Sequence, residues 1–275
     1  MPQTLTDLVS KRFADDIKVN REQSASDTHV LQLQHRSCRQ FHEKPIPEET
    51  LKLLFACSLS APSKSDLQQV SIIHLVSKES RDFIHSVLPT MPWIKTAPVF
   101  LLFCGDNHRI QTICEMHETT FAHDPFDAFL NTATDTAMVL QNFIIAAQAA
   151  GLGCCPISAV REVTTKLAEF CQMPEGVYPL VGLCLGYPKS ISDISIRLPM
   201  CTTIHKDTYK NNNLKAKITD YDKRRGELNS YKSQRNTDVF GTSKSYGWST
   251  DKARQTSHPE RISFTNHIRK HGFKI

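Results

Sequence analysis

The run DTAMVLQNFIIAAQAAGLG, residues 135–153, constrains the fold more than any other part of the chain. It carries no charge between Thr136 and Gly153 and is apolar on nearly every face, which predicts a central helix buried on most sides. Gly151 stands where the end of a helix favours a left-handed residue, so we expect the helix to end beside it. The chain has 275 residues and is 40% hydrophobic, which is enough to enclose such a helix in a sizeable core.

The segments around this helix alternate between helix and strand patterns. PIPEETLKLLFACSLSAPS has Pro47 followed by two glutamates near its start, and it repeats its apolar residues at spacings of three and four, which predicts an amphipathic helix. VSIIHLV (70–76), VFLLFCG (99–105) and LVGLCLGYP (180–188) are short apolar runs that predict buried strands. This order of elements predicts a layered α+β domain.

Several classes of protein are excluded by composition. No run reaches the roughly 18 apolar residues that a membrane span requires, and the amino-terminal residues lack the apolar centre of a signal peptide. We therefore expect a cytoplasmic protein. The nine cysteines form no CxxC pair, and the twelve histidines do not cluster with acids at ligand spacings, so neither a disulfide framework nor a metal site is predicted. Cys154 and Cys155 are either a redox pair or small core residues.

Positive charge is concentrated in the carboxyl-terminal quarter of the chain. Residues 205–275 contain 16 Lys and Arg against 7 Asp and Glu, whereas the net charge of the whole chain is only +5. The region is poor in aliphatic residues, which predicts helices joined by a long polar loop. Such a region suits either nucleic acid or an anionic cofactor. Nucleic acid is the weaker alternative, because basic and aromatic residues are not interleaved.

The motif HRSCRQF, residues 35–41, places Arg36 and Arg39 on either side of the Ser37 hydroxyl. Arginines three positions apart can face the same way on a helical turn, and their donors can converge on a phosphate. A solvated helix start is the alternative for this motif taken alone.

HRSCRQF does not stand alone, because GLGCCPIS, LVGLCLGYP and SIRLP follow it in order. Together these motifs resemble the FMN-dependent nitroreductase family, and within it the branch of oxygen-insensitive major nitroreductases and flavin reductase P. The resemblance runs from about Val30 to about Tyr209 and continues weakly to HPERISFTNHIRKHGF. It implies a central, mostly antiparallel sheet flanked by helices. The implied domains are a helical extension at 1–29, an FMN-binding core at 30–209 and a basic excursion at 210–275 packed on the core.

The resemblance also implies which residues contact FMN. The implied contacts are His35, Arg36, Ser37, Arg39 and Arg197 around the phosphate and the polar edge of the ring, Ser63, Lys64, Asp66 and Gln68 in a loop reaching the flavin of a neighbouring subunit, and Pro156, Ile157 and Ser158 against one ring face. Ser63 and Asp66 also fit an ordinary polar loop.

Two positions depart from the family pattern. Asp66 stands where asparagine is commoner, so it either accepts a hydrogen bond from a flavin N–H or faces elsewhere. Ser195 stands where the family has a lysine, in its KxRLP motif. Lys64 or Lys189 could supply the missing charge, or FMN could bind more weakly.

The implied function is that of an FMN-dependent NAD(P)H oxidoreductase that reduces nitroaromatics, quinones or free flavin by a ping-pong mechanism. FMN carries the chemistry, so no catalytic side chain is expected. NADPH or NADH is the co-substrate, with Arg235 and Lys244 as candidates for reading the NADPH 2′-phosphate. The expected assembly is a homodimer without nucleic-acid or membrane partners. The alternatives are another use of FMN, such as reductive dehalogenation or flavin cleavage, and a flavin-binding sensor without turnover.

Overall fold

The computed structural model describes residues 4–17, 19 and 25–273. In chain order the elements are α1 (Leu5–Phe13), α2 (Asp27–Leu33), α3 (Glu48–Leu59), β1 (Val70–His74), α4 (Lys78–Val87), α5 (Trp93–Thr96), β2 (Val99–Asp106), α6 (His108–Met116), α7 (Pro125–Ala149), β3 (Gly153–Ile157), α8 (Thr164–Phe170), β4 (Val177–Gly186), α9 (Leu214–Leu228), α10 (Thr237–Phe240), α11 (Trp248–Thr256) and α12 (Ile262–Lys270). The chain divides into two compact units. The first unit comprises residues 1–36 and 193–260, and the second unit comprises residues 37–192 and 261–275.

A four-stranded antiparallel sheet in the order β1-β2-β4-β3 forms the centre of the second unit. Every residue of β2 is buried. Phe100 and Leu102 belong to the hydrophobic cluster on one face of the sheet, and Leu101 and Phe103 belong to the cluster on the other. Because both faces are covered, this strand reads as a continuous apolar run without alternation. The α+β fold with an antiparallel sheet is confirmed.

The three predicted strands exist with slightly different ends, and a fourth strand was not predicted. β1 is shorter than the predicted run 70–76, and β4 begins three residues before the predicted run 180–188. The missed strand is β3, which pairs Cys155 with Cys184 and Pro156 with Leu183 along β4. A proline fits there because β3 lies at the edge of the sheet, where a missing N–H breaks no ladder bond to a further strand.

The long helix α7 begins at Pro125, eleven residues before the uncharged run that starts at Thr136. Asp124 caps it by accepting hydrogen bonds from the N–H groups of Phe126 and Asp127. Its end follows the expected pattern, since Gly151 has a φ of +72° and the Leu152 N–H donates to the carbonyl of Ala147. Within the predicted run most helical residues are buried or half-buried, and only Ala137, Gln141 and Ala149 of residues 136–149 are exposed. Before that run the helix is more open, since Leu130 is 51% exposed.

Helix α3 begins where its sequence predicts, directly after Pro47. Leu51, Leu54 and Ser58 are its buried residues. The Ser58 hydroxyl donates to the carbonyl of Val139 at 2.8 Å, which ties α3 to α7. The two helices cover the same face of the sheet.

The last helix, α12, packs within the second unit on an aromatic cluster around Tyr178. The Tyr178 ring meets Phe129, Phe264 and Phe273 with centroid distances of 5.2, 6.0 and 5.4 Å. Its hydroxyl lies 2.8 Å from the hydroxyl of Thr132 on α7. These contacts hold the end of the chain against the sheet.

The first unit consists of α1, α2 and the helices α9 to α11. Tyr221 on α9 packs edge to face on Trp248 of α11, with ring centroids 5.4 Å apart. The Asp222 carboxylate accepts from both the N–H and the hydroxyl of Ser249. The basic region contains the predicted helices, and the polar residues 229–247 that join α9 to α11 are interrupted by the short helix α10. Of the predicted extension 1–29, residues 1–3, 18 and 20–24 lie outside the described residues.

None of the helices in the described ranges is long and apolar enough to cross a membrane.

Candidate functional site

In the first unit, the backbone of the segment that opens the HRSCRQF motif is held by a buried arginine of α1. The Arg12 side chain donates from Nε to the carbonyl of Leu33 at 2.7 Å and from Nη2 to the carbonyl of His35 at 2.5 Å. Arg36 follows directly, and its Nε donates to the carbonyl of Gln34 at 3.0 Å. The start of the motif is thus an ordered segment whose backbone carbonyls accept from arginines.

The same arginine holds the SIRLP segment of the first unit. Arg12 Nη1 donates to the carbonyl of Ser195 at 3.0 Å, and the Arg197 N–H donates to the carbonyl of Arg12 at 2.9 Å. From the other side, the Tyr221 hydroxyl donates to the carbonyl of Ile196 at 3.0 Å. Ile196 is buried, whereas Arg197 is exposed. The segment is fixed through its backbone while the Arg197 side chain reaches solvent.

The positive charges of these segments act on one another. Burial, followed by the charges of Arg197 and Arg36, lowers the pKa of Arg12 to about 10. Like charges lower the pKa of a base because each disfavours the protonated form of the other. Arg12, Arg36 and Arg197 therefore form a cationic cluster in the first unit, and such a cluster favours a bound anion.

The remainder of HRSCRQF belongs to the second unit and has different surroundings. The Cys38 N–H donates to the carbonyl of Cys154 at 2.8 Å, so the motif runs alongside β3. The Arg39 guanidinium lies 5.6 Å from the centre of the Trp93 ring. Burial raises the pKa of the Cys155 thiol, and the charge of Arg39 offsets part of this rise. Arg39 is thus placed beside Trp93 and Cys155.

The loop that contains Ser63 and Lys64 is anchored on α7 by a buried carboxylate. Asp135, 1% exposed, accepts from the Ser63 hydroxyl at 2.7 Å and from the Lys64 N–H at 3.0 Å. The Ser63 oxygen in turn accepts from the Gln68 N–H at 2.7 Å. The sequence reasoning missed Asp135. The sequence feature that could have identified Asp135 is its place directly before the uncharged run, four residues from Val139 and so on the same helical face.

The tip of this loop presents Asp66 and Gln68, which are partners of each other. Both have positive φ values, 58° and 50°, and the Gln68 side-chain amide donates to the Asp66 carboxylate at 3.0 Å. Asp66 therefore accepts from within its own loop. The Lys64 ammonium lies 3.6 Å from the Asp127 carboxylate of α7. A cavity of about 380 Å³ adjoins the loop, and Arg109 lies among its lining residues.

The predicted ring-facing segment lies where β3 ends. Ile157 is 3% exposed and is the last residue of the strand, whereas Pro156 and Ser158 on either side are exposed. The Ser158 hydroxyl accepts from Arg261 at 3.2 Å. The buried isoleucine fixes the backbone of this short segment, and its neighbours face outwards.

The two candidates for reading the NADPH phosphate lie at the base of one loop in the first unit. The Gln234 side chain donates to the carbonyl of Ser243 and accepts from the Ser243 N–H, each at 2.8 Å. This reciprocal pair brings together the positions that precede Arg235 and Lys244. Arg235 Nε lies 3.5 Å from the carboxylate of Asp251, and Lys244 is exposed.

No three His, Cys, Asp or Glu side chains are grouped in a way that could hold a metal ion, as far as the structure describes the chain. All nine cysteines are free.

Comparison with known proteins identifies the family. The model of the family described as "Nitroreductase family" matches residues 33–187. The model described as "Nitroreductase family, C-terminal domain" matches residues 196–275. The chain belongs to the nitroreductase family. This nitroreductase-family chain is 34% identical over 248 residues to the FMN reductase [NAD(P)H] of Bacillus subtilis, which covers 88% of the chain and 95% of the relative. It is 32% identical over 185 residues to the oxygen-insensitive NADPH nitroreductase of Salmonella typhimurium. That match covers 67% of this chain and 75% of the relative.

Solved structures of the nitroreductase family have the same fold. The NADPH:FMN oxidoreductase of Vibrio harveyi complexed with NAD+ superposes with a TM-score of 0.79 at 27% identity, covering 90% of this chain and 98% of that chain. Nitroreductase A of Vibrio parahaemolyticus superposes with a TM-score of 0.80 at 26% identity, with the same two coverages. The resemblance stated from the motifs is confirmed.

Proposed function

We propose that this nitroreductase-family protein binds FMN and transfers two electrons from NADPH or NADH to a nitroaromatic, a quinone or free flavin. The names of its relatives, which are FMN reductases, NADPH-flavin oxidoreductases and NADPH nitroreductases, support this function. They also favour turnover over a flavin sensor.

The observation that carries the proposal is the cationic cluster of the first unit. A phosphate monoester is a dianion near neutral pH, and guanidinium groups suit it because their donors are forked and permanently charged. Arg36 and Arg197 are the proposed phosphate ligands, together with His35. The residues present therefore fit the phosphate of FMN. Phosphate contacts by Ser37 and Arg39 remain predictions.

When bound, FMN supplies the electron-transfer chemistry. The chain itself binds and orients. Asp135 on α7 accepts hydrogen bonds from the Ser63 hydroxyl and the Lys64 N–H. These bonds fix the loop that carries Ser63, Lys64, Asp66 and Gln68 to that helix. Buried Ile157 fixes the backbone of Pro156 and Ser158, which we propose to lie against the flavin ring.

We propose that the nicotinamide and the acceptor occupy one position in turn, which is a ping-pong mechanism. The test begins with the purified protein: a visible flavin band, and release of FMN on heating, are expected. Steady-state rates with NADPH and a quinone should then give parallel double-reciprocal lines. A colourless protein that does not take up added FMN would contradict the proposal.

The nicotinamide specificity is proposed from the loop closed by Gln234 and Ser243. The hydrogen bonds between Gln234 and Ser243, the residues directly before Arg235 and Lys244, support their joint recognition of the 2′-phosphate. The ion pair with Asp251 orients Arg235 without enclosing it, since 43% of the Arg235 side chain is exposed. We therefore propose that NADPH is preferred over NADH.

We propose a homodimer that acts in the cytoplasm. Apolar side chains exposed on α3 and α7 of the single chain support an interface: Leu53, Leu59, Phe126 and Leu130 are 60%, 59%, 57% and 51% exposed. Side chains of this kind on adjacent helices are typical of interaction surfaces. The free cysteines suit a reducing compartment.

A further inference from the structure

Arg12 lies on α1, outside the motifs that carry the family resemblance, and it is 5% exposed. Its guanidinium donates to three backbone carbonyls, those of Leu33, His35 and Ser195. Carbonyl oxygens do not neutralise a cation. Among residues 4–17, 19 and 25–273, no carboxylate lies within ion-pair distance of it. A buried and formally uncompensated charge of this kind is costly unless a further partner arrives.

The two segments that Arg12 joins are those of the proposed phosphate ligands. One leads into Arg36, and the other contains Arg197, whose N–H donates to the carbonyl of Arg12 at 2.9 Å. The three bonds from the Arg12 side chain use the fork of the guanidinium, since Nε, Nη1 and Nη2 each donate once. An ammonium group could not make the same three bonds in fixed directions.

We propose that Arg12 is a positioning residue of the phosphate site, which aligns the segments of Arg36 and Arg197 and replaces the charge of the lysine that the family has at position 195. The inference rests on the proposed function, because it assumes that the cluster binds the phosphate of FMN. Arg12 Nη1 donates to the backbone carbonyl of Ser195 at 3.0 Å, which puts a cation beside the position where the family has its lysine.

The electrostatics of the cluster support this role. The Arg12 pKa stays well above neutrality although burial and two neighbouring arginines lower it, so the group is charged when phosphate binds. A dianion relieves the repulsion among the three cations, and ligand binding is stabilised by that relief.

The test measures the dissociation constants of FMN and of riboflavin, which lacks the phosphate, by flavin fluorescence with the apoprotein. Arg12→Met should lower the preference for FMN over riboflavin by about tenfold or more, with riboflavin affinity unchanged. The matched control is Arg81→Met in the second unit. Arg81 also donates to two backbone carbonyls, those of Ile94 at 2.7 Å and Ala97 at 2.5 Å. It should lower the thermal stability of the apoprotein and leave the preference unchanged.

Equal losses of FMN and riboflavin affinity in Arg12→Met would overturn the inference, because they would indicate general structural damage. A parent protein that binds neither flavin would instead contradict the proposed function. If Arg12→Met is not recovered folded, Arg12→Lys serves: its FMN affinity should fall by about threefold or more with riboflavin unchanged. Unchanged FMN affinity in Arg12→Lys would overturn the positioning role.

A separate experiment tests whether Arg12 replaces the charge of the family's lysine at position 195. Ser195→Lys in the Arg12→Met background should recover part of the preference for FMN, about threefold or more, because it restores a cation beside Arg197. The recovered part should shrink as salt is added. No recovery would overturn the charge replacement.

Discussion

The Ser63 hydroxyl donates to the Asp135 carboxylate at 2.7 Å across a sequence distance of 72 residues. Asp135 is almost completely buried, on the most apolar helix of the chain, and its other oxygen accepts from the Lys64 N–H. A helix that packs on the sheet therefore sets the position of a surface loop. The loop is held by this buried carboxylate together with its own hydrogen bonds from Gln68 to Ser63 and Asp66.

Asp135→Asn should destabilise the protein and loosen this loop. The amide presents an N–H₂ group to donors, so at least one hydrogen bond to a charged acceptor is lost, at a cost of about 1.5–3 kcal/mol. Urea unfolding measures the change in the free energy of unfolding. Asp127→Asn on the same helix is the control, because the Asp127 side chain is 55% exposed and its ion pair with Lys64 contributes about 1 kcal/mol or less. Equal effects of the two substitutions would contradict the anchoring role.

Arg197→Ala and Arg39→Ala are expected to weaken FMN binding while the fold survives. Each removes a charge-assisted contact worth about 1.5–3 kcal/mol, equivalent to about a tenfold to hundredfold loss of affinity. Flavin content after purification and the FMN dissociation constant measure the effect, with the exposed residue Lys206 replaced by Ala as the control. Unchanged flavin content in both arginine variants would remove the phosphate assignment.

Flavin retention should depend on assembly. If Gln68 reaches a flavin held mainly by a second chain, dilution should release FMN in step with the appearance of monomers. Leu130→Lys, at an exposed apolar position on α7, should shift the equilibrium towards monomers in sedimentation experiments. Met116→Lys is the control, since Met116 is 73% exposed on a different helix, α6. A monomer that keeps its flavin at every concentration would exclude the shared site.

The Arg235→Ala, Lys244→Ala double variant should raise the Michaelis constant for NADPH and hardly change that for NADH. The reason is that only NADPH carries the 2′-phosphate. The difference should diminish with added salt, because the loop is exposed. Lys232→Ala, an exposed cation of the same loop, is the control. An equal effect on both nicotinamides would leave the loop without this role.

Acid should destabilise the second unit through His267 on α12. Burial, followed by the charge of His271, lowers the pKa of His267 to about 4. A histidine in the unfolded chain has a pKa of about 6.5. Between pH 4 and that value, the unfolded chain therefore binds more protons at this residue than the folded chain. The free energy of unfolding is therefore fully retained above pH 6.5 or so and falls as the pH drops towards 4.

The free energy of unfolding should fall less at acid pH in His267→Gln than in the parent, by at most about 3 kcal/mol, because glutamine takes up no proton. Urea unfolding at a series of pH values measures it, and His117→Gln at an exposed position is the control. The proposal about His267 fails if the two variants have the same pH dependence.

The sequence predicted those elements whose signal is local. β2 was found because it is buried on both faces, and α3 because Pro47 and the following glutamates mark its start. β3 was missed because Gly153 and Pro156 argue against a strand, although an edge position tolerates both. Tertiary pairing with β4 outweighed these local preferences.

The candidate site was predictable only in part. Motifs located Arg36 and Arg197 because they lie within short stretches that resemble the family. Arg12 and Asp135 act on backbone groups far away in the chain, and such contacts leave no spacing pattern in the sequence. Their roles became visible only when the fold placed their partners beside them.

The bond between Arg12 and the carbonyl of Ser195 spans 183 residues. A ribosome adding about 5–20 residues per second needs roughly 10–40 seconds to cover that distance. During this interval the second unit emerges almost entirely, while α1 waits for the segment that completes its surroundings. The bond between Arg12 and the SIRLP segment is therefore expected to form only after most of the second unit has been synthesised.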